Sequence, residues 1–170
     1  MPKSNINTRS ISYAEAINEA TRQLMSQDES VFVLGIGVDD PRGIYGTTSN
    51  LSSEFGQNRV VNMPLAEDAI TGIASGSSMA GMRPIMVHER MDFMLLAMNQ
   101  LINVAAKSHY MYGGAIKNPM VIRSIIGRSW GQGAQHSQAL HSFFMHIPGL
   151  KVIAPTTPYD AKGALVASIR

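Results

Sequence analysis

The sequence predicts an α/β domain of three layers, in which a doubly wound, mainly parallel sheet carries helices on both faces. Short, wholly apolar segments alternate with helical segments along the chain, which is the rhythm of an α/β fold. No hairpin turn of the Asn-Gly type joins neighbouring apolar segments. The strands are therefore expected to pair in parallel through right-handed crossovers.

The first helix is predicted to begin after Ser12, because Ser12 and Glu15 have the spacing of a capping box. Its apolar residues recur at helical spacing and mark one buried face: Ala16, Ile17, Ala20 and Leu24. Val31–Gly35 then reads as a short buried strand. A short helix over Leu51–Phe55 and a strand over Val60–Asn62 follow.

The same alternation continues to the end of the chain. We predict a helix over Glu67–Met79, a strand over residues 84–87, a helix over residues 92–110, a strand over residues 121–126, a helix over residues 138–146 and a strand over residues 152–154. Pro158 is expected at the first position of a last helix. Because residues 92–110 carry apolar side chains all around the helix, we expect this helix to be buried on every side, at the sheet and at a subunit interface.

Composition excludes several classes of function. The 170 residues include no cysteine, which removes thiolate nucleophiles, Cys-ligated zinc and iron–sulfur clusters. A net charge of +2 without a basic run argues against nucleic-acid binding. Residues 1–10 lack an apolar signal, and the most apolar stretch is too short to span a bilayer, so we predict a cytoplasmic protein without membrane contact. Charged residues make up only 15%, which favours surfaces covered by partners.

Ligands of doubly wound sheets bind beyond the carboxyl ends of the strands, so candidate residues were sought there. Glu67 follows a predicted strand beside the apolar residues Met63 and Leu65. An acid at a helix start is commonly explained by its favourable interaction with the helix dipole alone. His136 lies in a loop with Gly133, where an imidazole can serve as acid, base or donor, or can simply be held by local hydrogen bonds. The glycine-dense segment 127–133 lacks Lys-Ser/Thr and is not a phosphate-binding loop.

Nine short motifs follow one another along the chain: Met63-Pro-Leu-Ala-Glu67, Gly72-Ile-Ala-Ser-Gly76, Ala80-Gly-Met-Arg-Pro84, Asp92-Phe93, Asn99-Gln100, Ala105-Ala-Lys107, Gln135-His-Ser-Gln138, Pro148-Gly-Leu-Lys-Val-Ile-Ala-Pro155 and Asp160-Ala-Lys-Gly163. This ordered set resembles the pyrimidine-binding domain of thiamine-diphosphate enzymes, and most closely the β subunit of 2-oxo acid dehydrogenase E1 components. The resemblance implies an N-terminal tail over residues 1–10 and one pyrimidine-binding domain over residues 11–170.

The resemblance also implies roles for individual residues. Glu67 matches the glutamate that hydrogen-bonds N1′ of the cofactor and favours the tautomer whose 4′-nitrogen takes the thiazolium proton. Phe93 matches the aromatic residue that packs on the pyrimidine, and Leu65 an apolar contact beside it. Glu89 stands in the same pocket, where the family commonly has an apolar residue. His136 matches a histidine at the mouth of the site, associated with handling of the substrate or the lipoyl group.

The chain departs from the family pattern at two places. The first strand usually ends in Gly-Glu-Asp/Glu, which is linked to proton communication between paired sites, whereas this chain has Ile36 and Gly37 there. The polar stretch from His88 to Arg90 favours a substrate other than pyruvate.

The resemblance implies that thiamine diphosphate is shared with a partner chain. No Gly-Asp-Gly occurs in this sequence, so we expect an E1 alpha-like subunit to bind the diphosphate and Mg²⁺. A second copy of this chain and a lipoyl acyltransferase core are the other expected partners. The family's C-terminal domain is expected to be absent after Arg170, and the chain is expected to be inactive without its alpha partner. Two further functions stay open, namely half of a transketolase or deoxyxylulose-phosphate synthase, and a non-catalytic assembly module.

Overall fold

The computed structural model describes residues 9–127 and 132–170. Residues 1–8 of the predicted tail and residues 128–131 of the glycine-dense loop lie outside the described part. The helices are α1 (Tyr13–Gln27), α2 (Leu51–Phe55), α3 (Glu67–Met79), α4 (Ala106–Met111), α5 (Ser142–Met145) and α6 (Pro158–Ile169). The strands are β1 (Val31–Gly35), β2 (Val60–Asn62), β3 (Arg83–His88) and β4 (Val121–Ser124). Within this part of the chain, every helix is too short or too polar to cross a membrane.

The four strands form one parallel sheet in the order β2-β1-β3-β4. Val33 of β1 lies opposite Val60 on one side and Ile85 on the other, and Ile85 lies opposite Val121 of β4. The chain therefore winds outward from β1 in one direction and from β3 in the other. This places the topological switch point of the sheet between β1 and β3 and confirms the predicted doubly wound fold.

The two faces of the sheet bury alternate residues of the same strands, as the two-residue period of a strand requires. One face packs against α1 and α6 through residues that include Leu24, Val31, Val33, Ile85 and Ile169. The opposite face packs against α3 through Phe32, Leu34, Ile70, Ala74 and Met86. Helices therefore cover both faces, and the predicted three layers are confirmed.

Two predicted helix starts are confirmed in atomic detail. The Ser12 hydroxyl accepts a hydrogen bond from the Glu15 amide at 3.2 Å, and the Glu15 carboxylate accepts one from the Ser12 amide at 2.6 Å. These two bonds complete the capping box of α1. In α6, the Thr157 hydroxyl accepts from the Asp160 amide at 3.1 Å, and Pro158 occupies the first turn.

The prediction of one continuous helix over residues 92–110 is wrong, while its burial at a subunit interface stays a prediction. The segment consists of a 3₁₀ helix (Met91–Ala97), a π-helical turn (Gln100–Ala105) and α4. Leu95 and Leu96 are 42% and 62% exposed. The reason is that only one side of the segment packs inward, where its side chains form a cluster with Phe144 and with Ile122 of β4.

Two other predicted elements differ from the structure. Instead of a helix over residues 138–146, only α5 forms, because Gln138 is held through its backbone amide and Nε2 by Asp92 Oδ1, at 3.3 Å and 2.8 Å. The predicted strand over residues 152–154 is wrong. Val152 and Ile153 are 36% and 54% exposed, and no described strand pairs with them. Apolar composition alone does not distinguish a buried strand from an exposed extended segment.

Arg123 on strand β4 has a guanidinium group with few hydrogen-bond partners in the described part of the chain. Arg123 Nη1 donates to the Thr47 hydroxyl at 3.0 Å. Nε and Nη2 are buried, and within the described residues neither has a hydrogen-bond partner. Burial lowers the pKa of Arg123 to about 10. A charged group in this environment costs stability, because the desolvation of its N–H groups is not compensated.

Replacing Arg123 by Met should therefore stabilise the protein, raising the free energy of unfolding by about 1–3 kcal/mol. Thr47 keeps its hydrogen bond to the Ile44 carbonyl, at 2.6 Å, so no polar group is orphaned. Urea denaturation with an unchanged slope would measure the gain. The matched control is Arg59→Met, which should destabilise, since Arg59 Nη2 donates to the carbonyls of Met25, Asp28 and Val31 at 2.7–2.9 Å. Equal losses in both variants would contradict the prediction.

Candidate functional site

The segments that follow β1, β2 and β3 meet at the carboxyl edge of the sheet. The Gly37 amide donates to Asn62 Oδ1 at 2.9 Å and so ties the loop after β1 to the end of β2. A cleft of about 360 Å³ opens at this edge, and Ile36, Tyr45 and Glu89 are among its lining residues. Its volume suits a small ligand. Because Ile36 follows β1 and Glu89 follows β3, the cleft lies at the switch point of the sheet, where ligands of this architecture bind.

One wall of the cleft is held by a buried arginine. Arg90 Nη2 donates to the Tyr45 hydroxyl and to Gln132 Oε1, both at 3.0 Å, and its guanidinium lies 5.7 Å from the centre of the Tyr45 ring. Burial lowers the pKa of Arg90, and the nearby Asp92 charge opposes that shift. Tyr45 has a positive φ of 54°, a conformation that costs a non-glycine residue energy and that these contacts hold in place. The cleft wall is therefore preformed.

Glu67 is the first residue of α3 and is only 8% exposed. Within the described residues, no hydrogen bond or ion pair reaches its carboxylate. The first turn of a helix favours a negative charge, because its free backbone N–H groups carry partial positive charge. Glu67 is thus a largely buried acceptor at the ligand-binding edge of the sheet, suited to an N–H donor supplied by a ligand.

Phe93 and His136 are brought together, although 43 positions separate them in the chain. Their ring centroids are 5.2 Å apart and their planes meet at 80°, an edge-to-face contact. His136 ends a 3₁₀ turn (Ala134–His136), and its Nδ1 is buried without a hydrogen-bond partner in the described residues. The bonds from Gln138 to Asp92 join the same two loops. The sequence did not predict these contacts between the two loops. The only feature of the sequence that pointed to them was the carboxylate of Asp92, directly before Phe93.

Leu65 and Glu89 occupy two different surroundings. Leu65, in the turn between β2 and α3, is 80% exposed, so the rest of the described chain builds no apolar wall around it. Glu89 is exposed within the cleft at the switch point. The carboxyl edge therefore carries three groups: Leu65 with Glu67, Phe93 with His136, and Glu89. The cofactor roles of these five residues stay predictions.

Behind Glu67 lies a buried polar pair that sequence reasoning did not identify. The Thr71 hydroxyl donates to the Glu67 carbonyl at 2.7 Å and lies 3.1 Å from His88 Nε2. Thr71 is fully buried, and His88 is 3% exposed. Burial lowers the pKa of His88 to about 4, so its imidazole is neutral at physiological pH. In the sequence, His88 was noticed only as the first residue of a polar stretch that follows a predicted strand.

Among residues 9–127 and 132–170, no group of three or more histidine and acidic side chains is placed to hold a metal ion. The assignment of Mg²⁺ to a partner chain therefore stays a prediction.

Sequence comparison identifies relatives over nearly the whole chain. It is 44% identical to the beta subunit of acetoin:2,6-dichlorophenolindophenol oxidoreductase from Cupriavidus necator, over 95% of this chain and 51% of that protein. It is 42% identical to the beta subunit of 2-oxoisovalerate dehydrogenase from Bacillus subtilis, over 94% and 49%. It is 44% identical to the beta subunit of the pyruvate dehydrogenase E1 component from Gracilaria tenuistipitata, over 92% and 48%. The chain spans about half the length of these curated relatives.

The fold also has a close match among solved structures. A split-gene transketolase, described as an inactive beta4 tetramer, superposes with a TM-score of 0.74 at 20% identity, over 95% of this chain and 48% of that one. This likeness supports the architecture. The family model described as "Transketolase, pyrimidine binding domain" matches residues 9–170. The chain therefore belongs to the family of transketolase pyrimidine-binding domains.

Proposed function

We propose that this chain is the pyrimidine-binding part of an E1 beta-like subunit. With an alpha subunit, it oxidatively decarboxylates a 2-oxo acid on thiamine diphosphate and passes the acyl group to lipoyl. Carbon dioxide leaves, the acyl group forms a thioester with one sulfur of the lipoyl disulfide, and the other sulfur is reduced to a thiol. The observation that carries the proposal is Glu67, a residue only 8% exposed whose carboxylate has no partner in the described chain, at the ligand-binding edge of the sheet. The names of several relatives, beta subunits of the pyruvate dehydrogenase E1 component, support it.

The residues at this edge fit an aminopyrimidine, which is flat and presents N–H donors. Glu67 offers an acceptor for a ring N–H, and the half-buried Phe93 offers an aromatic face or edge. The exposed Glu89 carboxylate in the cleft is a second acceptor, suited to an exocyclic amine. When bound, thiamine diphosphate supplies an acidic carbon and an electron sink.

The chain's own side chains then have distinct tasks. The Glu67 carboxylate would accept a hydrogen bond from a ring N–H and would stabilise positive charge there. Phe93 would pack on the ring and exclude water, while Leu65 would cover one side of it. His136, whose ring is oriented by Phe93, is available as a proton donor or acceptor toward the substrate or the lipoyl group.

The remaining parts of the proposal concern assembly. We propose that an E1 alpha-like subunit binds the diphosphate and Mg²⁺, and that a second copy of this chain completes the assembly. A lipoyl acyltransferase core accepts the acyl group, and the chain works in the cytoplasm. Without its alpha partner the chain is expected to be inactive. The sparse charge of the sequence and the beta-subunit names of the relatives support this arrangement.

Calorimetry tests the shared site. Thiamine diphosphate with Mg²⁺ should bind to a mixture of this chain and its alpha-like partner and to neither chain alone.

An activity assay tests the reaction. The mixture should reduce 2,6-dichlorophenolindophenol with a 2-oxo acid as substrate. Turnover with acetoin alone, or ketol transfer between sugars, would contradict the dehydrogenase assignment. No binding in the mixture would instead favour a non-catalytic assembly module.

A further inference from the structure

The end of β3 is joined to the first turn of α3 by two consecutive hydrogen bonds. His88 is the last residue of β3, and its Nε2 lies 3.1 Å from the Thr71 hydroxyl. That hydroxyl lies 2.7 Å from the carbonyl oxygen of Glu67. The link therefore ends on the backbone of the one acidic residue that is buried at the start of α3.

The Thr71 hydroxyl has a single proton, and this determines which group donates in each of the two hydrogen bonds. A carbonyl oxygen only accepts, so the single hydroxyl proton of Thr71 goes to Glu67. Toward the imidazole, the same hydroxyl oxygen is left as an acceptor. His88 Nε2 must therefore carry the proton and donate, which selects the Nε2–H tautomer of the neutral ring.

We propose that His88 is a positioning residue: through Thr71 it anchors the first turn of α3, and with it the Glu67 side chain, to the carboxyl end of β3. The inference rests on the proposed role of Glu67 in cofactor activation. His88 touches neither the Glu67 carboxylate nor any reacting group, so its effect is transmitted through the backbone.

The burial of the link makes this anchor effective. Thr71 has no exposed surface, and His88 is 3% exposed, so solvent does not readily replace either partner. Among the described residues, Glu67 has no side-chain hydrogen bond of its own that would hold its carboxylate in place. The position of its backbone, together with the packing around a residue that is only 8% exposed, therefore determines where the carboxylate lies. A displacement of a catalytic group by about 1 Å is enough to slow a reaction by up to roughly a hundredfold.

The first experiment needs only this chain. Imidazole ¹⁵N shifts, assigned with a His88→Gln variant, should show His88 almost entirely as the Nε2–H tautomer. Thr71→Val, which removes the acceptor at nearly constant shape, should change the tautomer ratio, whereas Thr71→Ser should preserve it. His109, an exposed histidine whose Nδ1 lies near the Ile116 carbonyl, serves as the internal control and should not respond. A predominantly Nδ1–H tautomer in the unmodified chain would overturn the proposal.

The second experiment uses the assembled complex with its alpha partner. His88→Leu and Thr71→Val should each lower kcat by about tenfold or more, with the substrate KM changed by less than about twofold. His88→Gln and Thr71→Ser keep a donor and a hydroxyl, and they should recover most of the rate. The double variant His88→Leu/Thr71→Val should be no slower than the slower single variant, since both changes break one link. His109→Leu is the matched control and should retain full kcat.

The outcomes separate this inference from the proposed function. If the wild-type complex turns over normally and kcat, measured per folded active site, is unchanged in His88→Leu and Thr71→Val, the positioning role is overturned while the proposed function stands. Additive losses in the double variant also overturn it. A wild-type complex without cofactor-dependent turnover overturns the proposed function instead, and the tautomer measurement then still decides whether the link exists.

Discussion

Replacing Glu67 by Gln in the assembled complex is expected to lower kcat by about a thousandfold, the range that loss of a proton-handling group commonly produces. The amide has nearly the same shape but carries no negative charge, so it stabilises a protonated ring nitrogen poorly. Subunit association should be unaffected, because Glu67 is only 8% exposed and Gln has nearly the same shape. Initial rates per active site, together with size-exclusion chromatography of the complex, would measure both properties.

Asp68→Asn provides the matched control for Glu67→Gln. Asp68 lies in the same first turn of α3 but is exposed, and it accepts only a long bond of 3.4 Å from Gln100 Nε2. The same change of charge at this neighbouring position should leave kcat within about twofold of the wild-type value, since interactions of exposed charges are weak. Full activity of Glu67→Gln, or an equal loss in Asp68→Asn, would contradict the assignment of Glu67.

Replacing Gly35 by Ala is expected to cost about 3–5 kcal/mol of folding free energy, one of the rare large effects of a single methyl group. Gly35 ends β1 with a φ of +156°, and an added Cβ would lie 2.4 Å from the Val87 carbonyl oxygen and 3.1 Å from side-chain atoms of Val38 and Val87. The central position of the strand leaves the backbone no room to move. A fall in melting temperature of roughly 10 °C in thermal denaturation would record the loss.

Gly37→Ala isolates the steric part of this effect. Gly37 also has a positive φ, +69°, but no heavy atom lies within 4 Å of the position that a Cβ would take. Only the strain of the left-handed conformation applies, which is about 1 kcal/mol. Equal losses in the two variants would show that conformational strain, and not contact with Val87, dominates at Gly35.

The elements that local chemistry determines were predictable from the sequence. The capping box of α1 needs only a hydroxyl and a carboxylate three residues apart, and Ser12 and Glu15 form it as expected. β1 was predictable because five consecutive apolar or glycine residues, directly after the polar residues 28–30, have no good exposed conformation. Parallel pairing followed from the alternation of strands with helices and the absence of hairpin turns.

Properties that depend on which surfaces face each other were not predictable in the same way. Val152 and Ile153 have the composition of a strand, but burial depends on a neighbouring strand that the described residues do not supply. The contact between Phe93 and His136 requires two loops to converge. The link from His88 to Thr71 depends on the spacing between β3 and α3, and a separation of 17 positions carries no local signal. Glu67 was found because it follows a predicted strand, at the edge where ligands of such sheets bind, and because it matches a family motif.

The exposure of Leu65 has a thermodynamic consequence for the assembled protein. An apolar side chain that is 80% exposed beside Glu67 is surrounded by ordered water until something covers it. Any ligand or subunit that closes over this turn removes that surface from water, and binding then has a negative change in heat capacity. The temperature dependence of the binding enthalpy therefore reports closure of this edge independently of any catalytic measurement.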